Sequence, residues 1–462
     1  METPWIPQLK TGEQPLYIEI TRSISNDIAN GRLKDNDKLP TQRDLADRLG
    51  VAIGTITRAY AEAERRGLIR GEGRRGTYVG RARSGSSILS AIARLSPEGI
   101  DLSKNHPVYP LDPDLSVALR HIARQKNSQR LLAYPPAGGL AEHREAGARW
   151  LRQLGAEADP RSVFVTAGAQ HSLSIILAGE TKPGDTIAAE EYSYPGIKAL
   201  AEQRGINIEG VACDDDGMRP DALETLCRKR KIRMLYCNPT LQNPTNMIWT
   251  GRRRMEIAGI AGKYGIGIID DEILTPLMAD PPGFLYNLRP EQSFLVVSAS
   301  KSVAAGLRVG FVLAPRESQE RMIESLNVSC LGGPPLTAEV FASWLDDGTA
   351  ERVIALRRKD LAARQKMAEK ILGDFSFKGH PSSYHIWLKL PEGWSGMRLA
   401  MEAQSKGVKV TPAEAFVMDD RRPIPAVRLS LVSTPSEAML KSGLTTIVGI
   451  LRSRPDRFAT RV

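Results

Sequence analysis

The sequence predicts an α/β protein with a small, mainly helical part at its amino terminus. Two observations carry this prediction. From Ile100 onward, short apolar strands alternate with helical patterns, which is typical of a mainly parallel sheet flanked by helices. Residues 1–80 instead contain three helical patterns followed by a basic ribbon. At 462 residues the chain is long enough for two or three domains.

The composition is that of an ordinary globular protein, with 42% hydrophobic and 25% charged residues. Lysine and arginine (63) outnumber aspartate and glutamate (53), and the net charge of +10 permits nucleic-acid binding without proving it. The four cysteines follow no metal-ligand spacing, so we expect a reduced compartment and no metal site. The amino terminus has no signal-peptide pattern and no apolar run approaches a membrane span, so we expect a soluble, cytoplasmic protein.

Three helices are predicted in the first eighty residues. An apolar stripe over residues 17–28 indicates the first helix. Thr41 fits the N-cap of the second helix, which ends at Gly50. The third helix follows almost at once, over residues 53–66. Such a short connection between two helices is typical of a helix-turn-helix.

A basic ribbon follows the helices. Residues 68–70 and 77–79, joined by a Gly-rich turn, predict a two-stranded wing. Between Arg65 and Arg83 the chain carries seven arginines and the lone acid Glu72. Three helices and a basic ribbon in this order indicate a winged helix-turn-helix, a DNA-binding architecture. The alternative is a solvated basic hairpin on an ordinary helical domain.

Four short motifs mark the same region: PLY at 15–17, LPTQRDLA at 39–46, TITRAY at 55–60 and GTYV at 76–79. On these motifs, residues 12–80 resemble the GntR-type DNA-binding domain. The resemblance implies DNA contacts of three kinds, to phosphates, to the major groove and from the wing. The phosphate contacts are assigned to Thr41 and Arg43, and the major-groove contacts to Thr55, Thr57 and Arg58. The contacts from the wing are assigned to Arg74 and Arg75. Family members usually have Ser-Arg at the head of the third helix; this chain has Ala52-Ile53, which leaves the bases read open.

Composition divides the whole chain into three predicted parts. Residues 1–80 form the winged helix, residues 81–99 are a Ser-, Arg- and Gly-rich linker, and residues 100–462 form the large domain, with a small subdomain over about 335–462. The predicted strands are 163–165, 186–189, 234–237, 267–269, 295–297 and 310–313, with 384–388 and 426–430 in a second, smaller sheet.

Five groups of residues fall at the ends of these strands, where open α/β sheets bind ligands. They are Thr166–Gln170, Tyr194–Gly196, Asn243–Thr245, Asp270–Glu272 and Ser298–Arg308. The first can offer backbone N–H groups to a phosphate, the second an aromatic ring and the third an amide. Taken alone, each also fits a plainer interpretation, such as a small-residue turn, a core aromatic or surface acids.

Lys301 is the most informative residue of the chain. It follows an apolar strand, with hydroxyls before it and Arg308 seven positions later, which suits a covalently held phosphorylated aldehyde. Its amine would form the Schiff base, while Ser298, Ser300 and Arg308 hold the phosphate. A carboxylate of the acidic trio can pair with a pyridinium nitrogen and keep it protonated.

The order and spacing of these groups resemble the fold-type I aminotransferases over about residues 100–450. The resemblance implies pyridoxal 5'-phosphate as cofactor. It makes Lys301 the internal aldimine lysine, pairs Asp271 with the pyridine nitrogen and stacks Tyr194 on the ring; these three are the implied catalytic residues. It also places Asn243 on the ring 3-oxygen.

The same resemblance implies contacts at the edges of the cofactor. The phosphate cup is assigned to Gly168, Ala169, Ser298, Ser300 and Arg308. Tyr134 corresponds to a tyrosine that reaches across a homodimer to the neighbour's phosphate. Arg428 corresponds to an arginine that clamps a substrate α-carboxylate bidentately.

One position departs from the aminotransferase pattern. Active members usually carry a tyrosine two or three residues after the aspartate, where this chain has Ile273 and Leu274. Losing that hydrogen bond costs about 1–3 kcal/mol, or roughly ten- to a hundredfold in rate. Cofactor binding is expected to survive, and efficient turnover is left open. The six histidines show no catalytic or metal spacing and are interpreted as structural or surface residues.

Together the two halves resemble the MocR subfamily of bacterial transcription regulators. That resemblance implies a homodimer that binds a double-stranded DNA operator and senses an amino acid or amine by exchange at the Lys301 aldimine. A working aminotransferase with an autoregulatory DNA-binding module is the alternative, and a regulator that has lost its cofactor is a third. The operator, the direction of regulation and the effector's identity are not readable from the sequence.

Overall fold

The structure is a computed structural model that describes residues 5–7, 16–29, 32–34, 37–65, 68–71, 76–79, 99–107, 111–419, 421 and 423–453. The chain divides into two compact units, Met1–Arg94 and Leu95–Val462. The predicted linker lies almost wholly outside the described residues, as do Arg74 and Arg75.

Among its described residues, the first unit contains three helices and three short strands. They are α1 (Leu16–Ala29), β1 (Lys38–Leu39), α2 (Gln42–Leu49), α3 (Ile53–Arg65), β2 (Ile69–Gly71) and β3 (Thr77–Val79). The strands form an antiparallel sheet in the order β1-β3-β2. The predicted pairing of the two wing strands is confirmed as β2 and β3, and β1 adds a third strand that the sequence did not predict. A strand of two residues leaves no alternation of apolar and polar side chains in the sequence.

The second helix has the caps that the sequence predicted. The Thr41 hydroxyl accepts a hydrogen bond from the Asp44 N–H (3.2 Å), and Gly50 takes the left-handed conformation, φ 63°, that ends the helix. Inside, Ile24, Leu45 and Ile56 are fully buried and join the three helices into one small core.

The second unit contains twelve α-helices and fifteen strands among the described residues. The helices are α4 (Leu115–Ala123), α5 (Ala141–Gln153), α6 (Ala169–Glu180), α7 (Pro195–Arg204), α8 (Pro220–Lys229), α9 (Gly251–Tyr264), α10 (Ala299–Ser302), α11 (Gln319–Cys330), α12 (Pro335–Asp346), α13 (Thr349–Leu372), α14 (Gly396–Ser405) and α15 (Glu437–Arg452). The strands are β4 (Ile100–Asp101), β5 (Val163–Thr166), β6 (Thr186–Glu190), β7 (Asn207–Val211), β8 (Cys213–Asp214), β9 (Gly217–Met218), β10 (Met234–Cys237), β11 (Gly267–Asp271), β12 (Ser293–Ser298), β13 (Gly310–Leu313), β14 (Phe377–Lys378), β15 (His385–Lys389), β16 (Val408–Lys409), β17 (Thr411–Pro412) and β18 (Ala426–Ser430).

A seven-stranded sheet in the order β5-β13-β12-β11-β10-β6-β7 forms the centre of this unit. Of these seven strands, β13 alone runs opposite to the other six, so the predicted mainly parallel sheet is confirmed. Alternate residues of each central strand pack on opposite faces: Val297 faces one core and Val296 the other. Helices cover both faces, which explains why these strands are almost continuously apolar.

A smaller antiparallel sheet follows, in the order β14-β15-β18-β17. Near it, β4 pairs with β16, and Leu102 packs in the same core as Leu388 and Leu429. The segment that enters the second unit is therefore attached to the small-sheet region. Among the described residues, no helix is long and apolar enough to cross a membrane, and no cluster of side chains is suited to hold a metal ion.

Candidate functional site

The central site lies where β11 and β12 end and where β5 gives way to α6. Because parallel strands share one carboxyl edge, residues far apart in the sequence meet there. Lys301 is carried by the short helix α10, directly after β12. Its Nζ donates to the main-chain oxygen of Asn105 (2.6 Å). Burial, followed by the charges of Arg428 and Arg308, lowers the pKa of Lys301 to about 8, which leaves roughly a tenth of the amine neutral at pH 7.

Asp271, the last residue of β11, presents one free carboxylate oxygen. Its Oδ2 accepts a hydrogen bond from the Tyr236 hydroxyl (2.7 Å), while its Oδ1 is buried and has no partner among the described residues. Burial raises the pKa of Asp271 to about 7, although the Tyr236 bond opposes that rise. A buried carboxylate oxygen without a donor is costly, and a protonated pyridine nitrogen is a donor of the right kind.

Asn238 links Asp271 and Asn243, two of the residues predicted to contact the cofactor ring. Its Nδ2 donates to the main-chain oxygen of Asp271, and its Oδ1 accepts from the N–H of Asn243 (2.9 Å). Glu190, fully buried at the end of β6, accepts from the Asn238 N–H (2.9 Å) and the Ser193 hydroxyl (2.9 Å). Burial raises the pKa of Glu190 to about 7. The network holds Asp271 and Asn243 at a fixed separation.

The other end of the site suits a phosphate. Gly168 has φ 89°, and a Cβ there would lie 2.8 Å from Nη2 of Arg308, so only glycine lets the guanidinium approach. Arg308 Nη1 donates to the Ser300 hydroxyl (3.3 Å), and the Ser298 hydroxyl accepts from the Ser300 N–H (3.2 Å). Helix α6 begins at Ala169 and directs its first N–H groups into the same place.

Tyr194 and Arg428 complete the set near the ring. The Tyr194 hydroxyl donates to Gln170 Oε1 (3.0 Å), and burial, with the charge of Asp271, raises its pKa. Arg428, on β18, is 7% exposed and donates to Asn243 Oδ1 (2.7 Å) and to the main-chain oxygen of Ser103. Its guanidinium carbon lies 4.9 Å from the Phe416 ring centroid, and burial lowers its pKa to about 10.

Sequence reasoning missed several neighbours of Lys301. The Asn105 amide donates to Nδ1 of His385 (2.9 Å), which leaves His385 Nε2 buried without a partner among the described residues. Burial lowers the pKa of His385 to about 3, so the ring is neutral. The Tyr384 hydroxyl donates to the Lys301 main-chain oxygen. Asn105 and His385 are 280 residues apart in the chain, so no local sequence pattern predicts their hydrogen bond.

The structure also shows what fills the position of the absent tyrosine. Leu274 is 3% exposed and packs in an apolar cluster with Leu241, Leu361 and Tyr384. An apolar side chain therefore occupies this position in the fold. Tyr134, by contrast, is 81% exposed, and its predicted contact with a partner subunit remains a prediction.

The DNA-contact residues predicted on α2 and α3 lie on the surface of the first unit. Arg43 and Arg58 are exposed. The Thr57 hydroxyl donates to Gln42 Oε1 (2.8 Å), which links the two helices, while Thr55 is half-buried. Behind them, the Tyr60 hydroxyl donates to the Pro40 main-chain oxygen (2.8 Å) and fixes the approach to α2.

Comparisons with known proteins match both units to families. Residues 16–79 match the model of bacterial regulatory proteins of the gntR family, and residues 97–447 match the model of class I and II aminotransferases.

Several curated relatives extend over nearly the whole chain. An uncharacterized HTH-type transcriptional regulator of Bacillus subtilis, YdeF, is 28% identical over 97% of this chain and 96% of its own. The vitamin B6 salvage pathway transcriptional repressor PtsJ of Salmonella typhimurium is 26% identical over 85% and 93%. The HTH-type transcriptional regulator TauR of Rhodobacter capsulatus is 25% identical over 96% and 97%.

Solved structures agree with the fold of the second unit. An archaeal alanine:glyoxylate aminotransferase has a TM-score of 0.73 at 24% identity, covering 80% of this chain and 96% of its own. The α-aminoadipate aminotransferase LysN of Thermus thermophilus has a TM-score of 0.71 at 21% identity, covering 79% and 94%. At these identities the likeness shows the fold alone.

Proposed function

We propose that the effector of this chain is an amino acid that takes the place of Lys301 on pyridoxal phosphate. The chain belongs to the aminotransferase class I and II family and carries a gntR-family DNA-binding domain. It is therefore a MocR-type transcription regulator that depends on this cofactor. The observation that supports the proposal is the coexistence of the Lys301 site with a gntR-type DNA-binding domain over residues 16–79 of the same chain. Pyridoxal phosphate, when bound, supplies an aldehyde on which one amine can replace another.

Each part of the cofactor has a matching group in the site. We assign the ring nitrogen to Oδ1 of Asp271, which lacks any other partner among the described residues. We assign the phosphate to the Gly168–Arg308 cradle, where a glycine without a side chain, a guanidinium and a helix amino terminus converge. Lys301 supplies the amine, and its pKa of about 8 leaves it partly neutral at neutral pH.

Arg428 defines the chemical class of the effector. A buried guanidinium with one N–H group turned to a main-chain oxygen, that of Ser103, can exchange this neutral acceptor for a carboxylate, which binds more strongly and bidentately. Asn243, which already accepts from Arg428, keeps the guanidinium beside the ring. The effector therefore carries a carboxylate near its amine.

The segment that holds these two contacts also leads to the DNA-binding unit. Arg428 bonds the oxygen of Ser103 and Lys301 bonds the oxygen of Asn105, and the linker precedes both residues in the chain. An effector whose carboxylate binds Arg428 must release the Ser103 oxygen, and the exchange of amines on the cofactor changes whether the Lys301 amine is free to bond the Asn105 oxygen. We propose that the released segment changes how the DNA-binding units of a homodimer are held, because a ligand acts at a distance only through contacts that differ between two states. The regulator acts on an operator in the cytoplasm.

A working aminotransferase remains the second candidate. The buried Arg428 favours it, since a carboxylate clamp is what a transaminase needs. The apolar packing of Leu274 opposes it, because an apolar side chain stands where active members usually carry a tyrosine.

A spectral titration tests the proposal directly. Purified protein is titrated with a panel of amino acids and amines while its absorbance and its affinity for its own promoter fragment are followed. We expect one amino acid to change the absorbance and, over the same concentration range, to change DNA affinity by about 5- to 150-fold, the usual span of allosteric coupling.

Two variants are the controls. Lys301→Ala should lose both the absorbance of the lysine-bound cofactor and the DNA response, while Lys366→Ala, an exposed lysine on α13, should keep both. A DNA response that survives Lys301→Ala would contradict the proposal. Rapid conversion of a keto acid after the amino acid is consumed would instead establish the enzyme.

A further inference from the structure

We propose that Tyr236 is a positioning residue for the cofactor, acting through Asp271 so that the proton stays on the ring nitrogen. The inference rests on the cofactor binding proposed above and adds a residue to it. Tyr236 belongs to none of the five sequence groups, since it lies inside the apolar strand β10.

The sheet places Tyr236 beside Asp271. Strands β10 and β11 are parallel neighbours, with Tyr236 opposite Ile269, two residues before Asp271. The two side chains therefore rise on the same face of the sheet, because alternate residues share a face. The Tyr236 hydroxyl donates to Oδ2 of Asp271 at 2.7 Å and leaves Oδ1 for the ring.

A purely structural role does not account for the hydroxyl. The Tyr236 ring is 0% exposed and packs among apolar residues such as Ile187 and Ile269, where a phenylalanine would fill the same space. Burying a phenol requires a hydrogen-bond partner. The partner is Asp271, the carboxylate whose other oxygen is assigned above to the ring nitrogen, so the hydroxyl is placed to act on that contact.

The surroundings of Asp271 show why a donor is needed there. Besides burial, Glu272 next to it raises the pKa of Asp271, whereas Lys301 on α10 lowers it. The Asp271 charge in turn adds to the rise that burial gives the pKa of Glu190 on β6 and of Tyr194, just before α7. Burial also raises the pKa of Asp271, whereas the Tyr236 hydrogen bond lowers it. The phenol thus favours the ionised carboxylate, and only an ionised carboxylate keeps a pyridine nitrogen protonated in a buried site.

Nitrogen NMR of bound cofactor tests this role. Full-length protein is loaded with pyridoxal phosphate labelled with ¹⁵N in the ring, and the nitrogen shift is followed against pH. We expect a protonated nitrogen in the wild type near pH 7 to 8. In Tyr236→Phe it should be largely unprotonated at the same pH, and cofactor affinity should fall about ten- to a hundredfold, as for one lost hydrogen bond to a charged group.

Tyr192→Phe is the matched control. Its hydroxyl accepts from the Ile424 N–H (2.8 Å) and does not touch Asp271, so its removal should leave the nitrogen shift unchanged. The signal comes only from bound cofactor, so a partly folded variant can still be read. In an Asp271→Asn background, Tyr236→Phe should cause no further change, since the tyrosine acts through the carboxylate.

A Tyr236→Phe protein with the wild-type nitrogen shift at every pH would overturn the inference. A further change in the Asp271→Asn background would overturn it as well. Wild-type protein that gives no bound-cofactor signal would instead refute the cofactor binding itself, so the two failures are distinguishable.

Discussion

The two units of this protein use charge in opposite ways. In the DNA-binding unit, Arg43 and Arg58 lie on the surface. In the aminotransferase unit, Asp271, Glu190 and Arg428 are buried and their pKa values are moved far from the ordinary range. Exposed charges are screened by salt, whereas buried charges respond to burial and to one another. DNA binding should therefore be governed by ionic strength, and cofactor binding by pH.

Salt should have the largest effect. If about 6–10 phosphates are neutralised per dimer, affinity for operator DNA falls about 10³–10⁵-fold between 50 and 200 mM salt, because released counterions drive binding. Arg43→Ala should weaken binding to all sequences and reduce the salt slope by about 1. Fluorescence anisotropy over a salt series measures both quantities.

The control for the salt series lies in the same unit. Arg22, on α1, is paired with Glu19 (3.7 Å), and Arg22→Ala should leave the slope unchanged. Binding that does not vary with salt would break the comparison, since the exposed arginines would then not face phosphates.

The effect of pH on cofactor uptake by the second unit should be smaller, and it should occur near the pKa of Lys301. Lys301 reacts as a neutral amine, and its pKa is lowered to about 8. Below that value the protonated fraction grows, so the rate at which cofactor-free protein takes up pyridoxal phosphate should fall about tenfold per pH unit and level off above pH 8. Stopped-flow absorbance over pH 6 to 10 checks this.

Arg428 provides a way to sharpen that result. After burial, its charge is the largest cause of the low Lys301 pKa, so Arg428→Gln should move the midpoint to higher pH. Arg398→Gln, which breaks a surface pair with Glu402 (2.9 Å), is the matched control and should not move it. A midpoint unaffected by Arg428→Gln would show that burial alone sets the value.

Much of the site was predictable because it sits at strand ends. Lys301, Asp271 and Asn243 each follow an apolar strand, and a parallel sheet gathers such positions at one edge. The structure brings these three together with Arg428, although their roles stay predictions. The cap at Thr41 was predictable for the same local reason, since a hydroxyl before a helix has one geometric use.

The features that could not be predicted depend mainly on contacts between residues far apart in the chain. Tyr236 looks like any core residue of β10, and its partner is found only when the register with β11 is known. Asn105 meets His385 across 280 residues. Strand β7 was missed because Asn207 and Glu209 make it polar, as an edge strand can be. One sequence holds no record of these contacts.

Removing a helix cap should have the smallest effect, and making the same change in each unit compares their stability and their part in DNA binding. Thr41→Ala deletes the hydroxyl that accepts the Asp44 N–H, at about 1 kcal/mol of domain stability, while Ser395→Ala deletes the equivalent bond to the Arg398 N–H (3.2 Å) on α14. Both should lower the free energy of unfolding of their own unit by similar amounts, so calorimetry should show the larger drop in Tm for the smaller first unit. Only Thr41→Ala should also weaken DNA binding, about fivefold or more, because the same hydroxyl lies at the exposed start of α2 beside Arg43. Equal DNA affinities for the two variants would mean that α2 does not meet the duplex at its amino terminus.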